Sequence, residues 1–337
     1  MSERKSNMEA LRILSMLMVL TVHIDGASLG LPSAPGTDIG AREAWKLAVE
    51  AAAITGVNCF TMISGYFGIR LRFRSIASFL FQCVFYSVGV YSLGMLLWPG
   101  LTSAEGWTRS WLVLTYTDLW YVPAYFCLML LAPVLNPGLE ALSRRRFAIV
   151  LALFALFTFW CGWWRGGRFN PTGYTVMQLV FVYMTARYVR LHVSATFLRR
   201  HRLLWAALFA AATAGIFLTS LWLPFTKAFA YNSPLVMAAT VALFFLFTTS
   251  DFRSRAVNYA ARSAFAAYLL HKAPLVWNNL MRPAVTDLWD SMTLTQFTLA
   301  AAVLALGIYL AAMAVDAIRR LIWDTLSKSI TINLTDK

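Results

Sequence analysis

Charge is what this chain has least of. Only 13% of its 337 residues are Asp, Glu, Lys or Arg, against about 25% in an ordinary soluble domain. Hydrophobic residues make up 59%, and mean hydropathy is +0.63. A soluble globular protein is excluded, and a polytopic membrane protein is implied. Negative charge is scarcer than positive, with 15 acidic residues against 29 Lys and Arg and a formal net charge of +14. That excess lies in short arginine clusters between apolar runs, with no continuous basic stripe interleaved by aromatics, which excludes nucleic acid as a partner.

Other absences narrow the chemistry. The four cysteines, Cys59, Cys83, Cys127 and Cys161, are widely spaced inside apolar stretches and form no CxxC pair, so no metal site is expected. GxGxxG and GxxxxGK[ST] cradles and HExxH are missing, which removes glycine-held nucleotides and zinc proteases. No linker, low-complexity tract or soluble-sized loop interrupts the chain. Residues 1–337 are therefore read as one membrane domain with a basic cytoplasmic tail from about 317 to 337. Arg4 and Lys5 before the first apolar run imitate a secretory signal. The run's length, its Arg12 and His23, and the lack of a small-x-small cleavage site favour a retained helix.

What is present is apolar and aromatic: 13 Trp, 13 Tyr and 24 Phe fit membrane interfaces and packed helices. The pattern predicts an all-α bundle of about ten transmembrane helices, near 8–29, 45–68, 76–99, 117–137, 147–165, 173–190, 203–223, 231–249, 261–281 and 294–316. With both termini cytoplasmic, 21 basic residues fall on that side against 8 on the other, the bias expected of an N-in, C-in protein. A multi-pass protein in contact with lipid follows, and any chemistry must use residues of the bundle itself.

Two ionisable residues stand inside the first span. Arg12 and His23 are 11 positions apart, about 20° from three full turns on a straight helix and roughly 16 Å along its axis. Intramembrane ionisable residues are candidates for function. Asp25 follows two residues later, about 200° around the helix, where direct help to His23 is doubtful. His271, in the ninth span, divides evenly between a second polar site residue and a structural one, while His192 and His201 belong to an arginine-rich cytoplasmic loop. Arg70, Arg72 and Arg74 alternate after the second span. A stop-transfer cluster explains them, and so does a polyphosphate-bearing ligand, since guanidinium forks match phosphate oxygens. Asn58 and Ser64, and Tyr231, Asn232 and Ser233, are polar groups suited to lining a cavity; Trp120 and Tyr121 fit an interfacial belt.

Taken in order, the Arg-x10-His of Arg12 and His23, NCFTMISGYFGIRLRFRS (58–75), LWYVPAY (119–125), YNSPLV (231–236) and YLLHKAPLV (268–276) resemble the acyltransferase 3 family of integral-membrane O-acyltransferases, which modify bacterial surface polysaccharides. The resemblance implies transfer from acyl-CoA, usually acetyl-CoA, to a sugar hydroxyl at a bacterial inner (plasma) membrane. It makes Arg12 and His23 the paired functional residues and raises Arg70, Arg72 and Arg74 as donor-binding residues. The tyrosine–asparagine–serine–proline element and compact size look like the O-acetyl or O-succinyl branch without an attached esterase-like domain. Whether a separate export or transferase partner completes transfer is left open. Acyl-CoA is then a substrate, with no permanently bound cofactor. His23 is expected as general base on the hydroxyl of a glycan or its lipid-linked precursor, or as a relay through a covalent acyl-enzyme. The competing class is a proton-coupled transporter or flippase, which uses membrane His and Arg as naturally.

Overall fold

The computed structural model describes residues 5–31 and 39–331. Among them all regular structure is helical, as the composition predicts. Seven helices are long and apolar enough to cross a membrane: Ser6–Ala27, Ala41–Phe67, Phe73–Leu97, Tyr121–Glu140, Arg144–Trp164, Arg202–Ser220 and Leu294–Lys328. The other three expected spans differ. Residues 173–190 become the 17-residue helix Val176–His192, and 231–249 becomes the 16-residue helix Pro234–Thr249. Residues 261–281 form a broken run, Ala264–His271, Pro274–Val276 and Trp277–Met281.

Burial explains the short and broken pieces. A helix of 16–17 residues reaches about 25 Å, short of a hydrocarbon core of about 30 Å. Irregular backbone at membrane depth survives only where protein or a cavity covers it. Val176–His192 buries ten of its residues and Pro234–Thr249 eight. Long helices such as Arg144–Trp164 and Leu294–Thr331 instead turn Leu153, Leu156, Leu299, Val303 and Leu310 outward.

The first helix, Ser6–Val22, runs through the middle of the bundle, packed against Ala41–Ala53, Gly56–Phe67, Pro234–Thr249, Ala264–His271 and Leu294–Thr331. Small residues allow the closest approach: a Cβ on Gly56 would stand 2.7 Å from the Ser15 carbonyl oxygen, and one on Gly65 2.6 Å from that of Tyr183. From His23 to Ala27 the first helix widens into a π turn, a distortion that re-aims side chains and is frequent at functional sites.

Gly68, at φ 75°, ends the Gly56–Phe67 helix. The chain then runs irregularly to the next helix, pinned by a small polar network. The Ile69 amide donates to the Tyr183 hydroxyl at 2.9 Å, Asn136 Nδ2 donates to the Ile69 carbonyl at 2.8 Å, and Tyr183 donates to Asn136 Oδ1 at 2.6 Å. This clamp fixes the backbone that carries Arg70, Arg72 and Arg74.

The last helix continues well past the expected span, from Leu294 to Thr331. Asp316, fully buried, takes Arg319 Nε and Arg320 Nη1 at 2.7 Å each and the Ser263 hydroxyl at 2.9 Å. Three charges one turn apart satisfy one another, so the helix runs on through the segment expected to be a tail. Residues 332–337 lie outside the described residues.

Candidate functional site

Two cavities of opposite character approach His23 from the two ends of the bundle. The larger, about 610 Å³, is lined by Arg12, Arg70, Arg72 and Arg74 together with Ser64, Gln82, Tyr125 and Trp323. The four arginines grouped by sequence thus share one wall. Arg12 reaches it from the first helix, with Nη1 3.5 Å from Glu9 Oε2. Arg70, Arg72 and Arg74 are exposed, and Arg74 Nη2 donates to Ser327 Oγ at 3.1 Å.

The second cavity, about 450 Å³, lies beyond the π turn. His23, Gly26, Glu50, Trp120, Tyr174 and Tyr231 line it, with Asp118 and Lys272. Between the two, a void of about 30 Å³ is bounded by His23, Phe60, Tyr121, Phe265 and Tyr268, room for only one or two waters. Aromatic rings separate this void from the arginine cavity. Phe79 stacks on Phe265 with centroids 5.5 Å apart, and Tyr125 on Tyr121 at the same distance. The tyrosine hydroxyls are held by Ser64 at 3.0 Å and Thr61 at 3.3 Å.

The hydrogen bonds around His23 fix its tautomer. His271 Nδ1 lies 2.6 Å from the Ala267 carbonyl, which can only accept, so that nitrogen carries the proton. In a neutral His271 the Nε2 is then a lone pair. It lies 2.7 Å from His23 Nδ1, so His23 Nδ1–H donates and His23 Nε2 is left as an acceptor. Ring packing with Tyr268 and Trp277, at 6.3 and 6.0 Å between centroids, holds the imidazole in place. A histidine oriented by a second histidine is the arrangement of a general base with its orienting partner.

Other sequence candidates are distributed around this centre. Trp120 and Tyr231 stack at 5.8 Å and line both the small void and the outer cavity. Asn58 is fully buried away from the cavities: its Nδ2 donates to the Tyr231 carbonyl at 2.8 Å, and Gln178 Nε2 donates to that carbonyl at 2.9 Å. Asn232 donates to the Asn170 carbonyl. Both asparagines hold the backbone that presents Tyr231. Asp25 is buried and lines none of these cavities. Among the described residues no cluster of His, Cys, Asp or Glu has the makings of a metal site.

Sequence reading passed over Glu50, Tyr174, Tyr268 and Trp323. Glu50 had a usable signal, an acidic residue inside the second apolar run. The aromatics had none, since 13 Trp and 13 Tyr give no contrast.

A helical bundle with membrane-length helices, and a basic cavity on one side of an oriented histidine, defines an integral-membrane protein. Residues 5–314 match the family described as an acyltransferase domain, and the chain belongs to this acyltransferase 3 family. No curated protein and no solved structure matches it.

Proposed function

We propose that this membrane acyltransferase moves an acyl group, acetyl or succinyl, from acyl-CoA to a hydroxyl of a surface or exported polysaccharide or its lipid-linked precursor. The observation that carries this reading is His23, which borders the outer cavity on one side and the aromatic-walled approach from the arginine cavity on the other. A transporter needs neither a wall of four arginines nor an oriented base, and family membership favours acyl transfer.

In this reading the chain is one membrane domain of a bacterial inner membrane, with the arginine cavity facing the cytoplasm, the side favoured by basic residues. Arg12, Arg70, Arg72 and Arg74 bind the phosphates of acyl-CoA through charge-assisted forks. The thioester arm passes the Phe79–Phe265 and Tyr121–Tyr125 rings, which must part to admit it. An acceptor hydroxyl enters from the outer cavity and gives its proton to His23 Nε2 while its oxygen attacks the thioester carbonyl. The C–S bond then breaks, the thiolate takes the proton from His23, and the products are the O-acyl ester and free CoA. His271 touches no substrate; it positions His23 and stabilises the imidazolium.

Turnover of acetyl-CoA by the purified protein tests this. His23→Ala is expected to lose at least a hundredfold in kcat, the scale of general-base catalysis. Arg12→Ala is expected to raise the donor KM about tenfold, consistent with a lost charge-assisted bond of about 1.5–3 kcal/mol. Full activity in the His23 variant would sink the base assignment, and unchanged donor dependence the anchor.

A further inference from the structure

Among the described residues, Glu50 is the one carboxylate buried in a cavity wall next to His23 that the reaction above leaves without work. It sits on the Ala41–Ala53 helix, 5% exposed, and lines the outer cavity beside Gly26 and His23. Its carboxyl takes a backbone hydrogen bond from Gly26, while Oε2 has no partner. A buried carboxylate oxygen left unsatisfied in a cavity costs free energy until a ligand donates to it. The Gly26 backbone fixes its position: a Cβ on Gly26 would come within 3.0 Å of Oε2. The carboxyl therefore packs on the π turn that carries His23.

Opposite this carboxyl the cavity has an aromatic side. Trp120, Tyr174 and Tyr231 form a continuous ring cluster, with centroids 4.9 Å apart for Trp120 and Tyr174 and 4.8 Å for Tyr174 and Tyr231. Tyr174 is half exposed at the mouth, while Tyr231 is buried. Flat apolar ring faces beside a buried hydrogen-bond acceptor suit a ligand that is apolar on its faces and hydroxylated on its edge. A pyranose ring has that character: C–H groups cover its faces and hydroxyls ring its rim. A simple alcohol uses the acceptor but leaves the aromatic wall bare.

We propose that Glu50 accepts a hydrogen bond from a ring hydroxyl of the acceptor sugar stacked on Trp120, Tyr174 and Tyr231, and so selects which hydroxyl meets His23. The proposal rests on the acyl-transfer reading and adds to it a residue that specifies the acceptor. Two neighbouring hydroxyls suffice, one donating to Glu50 Oε2 and the other to His23 Nε2. No bond is made or broken at Glu50; its contribution is binding and orientation.

The test is thiol release from acetyl-CoA and from succinyl-CoA by the full chain in nanodiscs. The added acceptors are the methyl glycosides of glucose, galactose, rhamnose and N-acetylglucosamine, with propanol and glycerol as ring-free alcohols. Wild type is expected to respond to at least one glycoside at concentrations where propanol has no effect. Glu50→Ala should raise the KM of that glycoside at least tenfold with donor KM within twofold. Glu50→Gln keeps an oxygen for the Gly26 amide and nearly the same shape, so it guards against misfolding; it should also weaken the glycoside severalfold. Tyr174→Ala, at the cavity mouth, should raise the same acceptor KM. An unchanged glycoside KM in both Glu50 variants overturns the proposal, as does propanol matching the glycosides, and either result leaves acyl transfer itself standing. If neither donor yields thiol with any acceptor in wild type, the acyl-transfer reading fails and this proposal with it.

Discussion

At the scale of single residues, the site depends on which nitrogen of His23 carries a proton, and His271 decides it. Replacing His271 with Leu keeps volume and removes the acceptor for His23 Nδ1–H. The expected result is a fall in kcat of ten- to a hundredfold with donor KM little changed, a loss of about 1.4–2.7 kcal/mol of transition-state stabilisation. His271→Gln offers a carbonyl oxygen in the same region and should recover part of that loss; equal activities for the two variants would reduce His271 to packing. Arg12 and His23 were legible because a charged and a titratable residue inside an apolar run are costly and rare. Their partnership with His271 was not, because it joins residues 248 positions apart and only the fold brings them together. Asp25, two residues from His23, offered the nearer partner in sequence, yet it makes no hydrogen bond to the imidazole, whose Nδ1 meets His271 instead.

At the scale of elements, the distinctive feature is the aromatic partition between the arginine cavity and the histidine. Phe79 joins the Phe73–Leu97, Tyr121–Glu140 and Ala264–His271 helices through its ring contacts with Tyr125 and Phe265, 5.8 and 5.5 Å between centroids, and a void of about 30 Å³ behind it cannot hold a thioester. In the proposed reaction the rings must therefore move during turnover, and their closure would keep bulk water from the acyl group. Phe265→Ala removes one side of the Phe79 stack. Acceptor-free hydrolysis of acetyl-CoA is expected to rise severalfold while the fraction of thiol release coupled to ester formation falls. Measuring free acetate against ester product gives that partition, and an unaltered ratio would contradict the gating role. Helix boundaries were legible where apolar runs were long. At 173–190, 231–249 and 261–281 the helices are shorter or broken, which was not legible because hydropathy does not distinguish a lipid-facing helix from a shorter one buried among its neighbours.

For the whole molecule, the long C-terminal helix and the arginine wall form one assembly. Asp316 is the joint. Asp316→Ala would leave Arg319 buried and Arg320 half-buried without their counter-charge, and removing one partner of a buried pair costs about 3–5 kcal/mol. A thermal melt in detergent should register a large drop in midpoint; a variant melting like wild type would show that the network carries little of the stability. The same helix brings Trp323 to the arginine cavity and Ser327 to Arg74, beyond the 5–314 segment that matches the family. The sequence pointed to a tail here because Arg319 and Arg320 end the apolar run, and their pairing with Asp316 one turn earlier is visible only once helix continuation is assumed.

Sidedness gives the sharpest test of how the assembly works. Four arginines at an open cavity should attract a polyanionic donor by a field that salt screens, since the Debye length shrinks from about 14 Å at 50 mM to about 4 Å at 500 mM. Acetyl-CoA and acetyl-pantetheine carry the same thioester, but only the first has phosphates. Raising salt across that range should therefore increase the KM for acetyl-CoA severalfold and leave that for acetyl-pantetheine nearly constant. In Arg70→Ala/Arg72→Ala/Arg74→Ala the two donors should converge, because the residues that tell them apart are gone. The preference should also be one-sided: inside-out vesicles, with the cytoplasmic face outward, should consume added acetyl-CoA, and right-side-out vesicles should not. Equal salt dependence for the two donors would remove the phosphates from the binding model, and equal consumption by both vesicle types would place the donor entrance elsewhere than the arginine cavity.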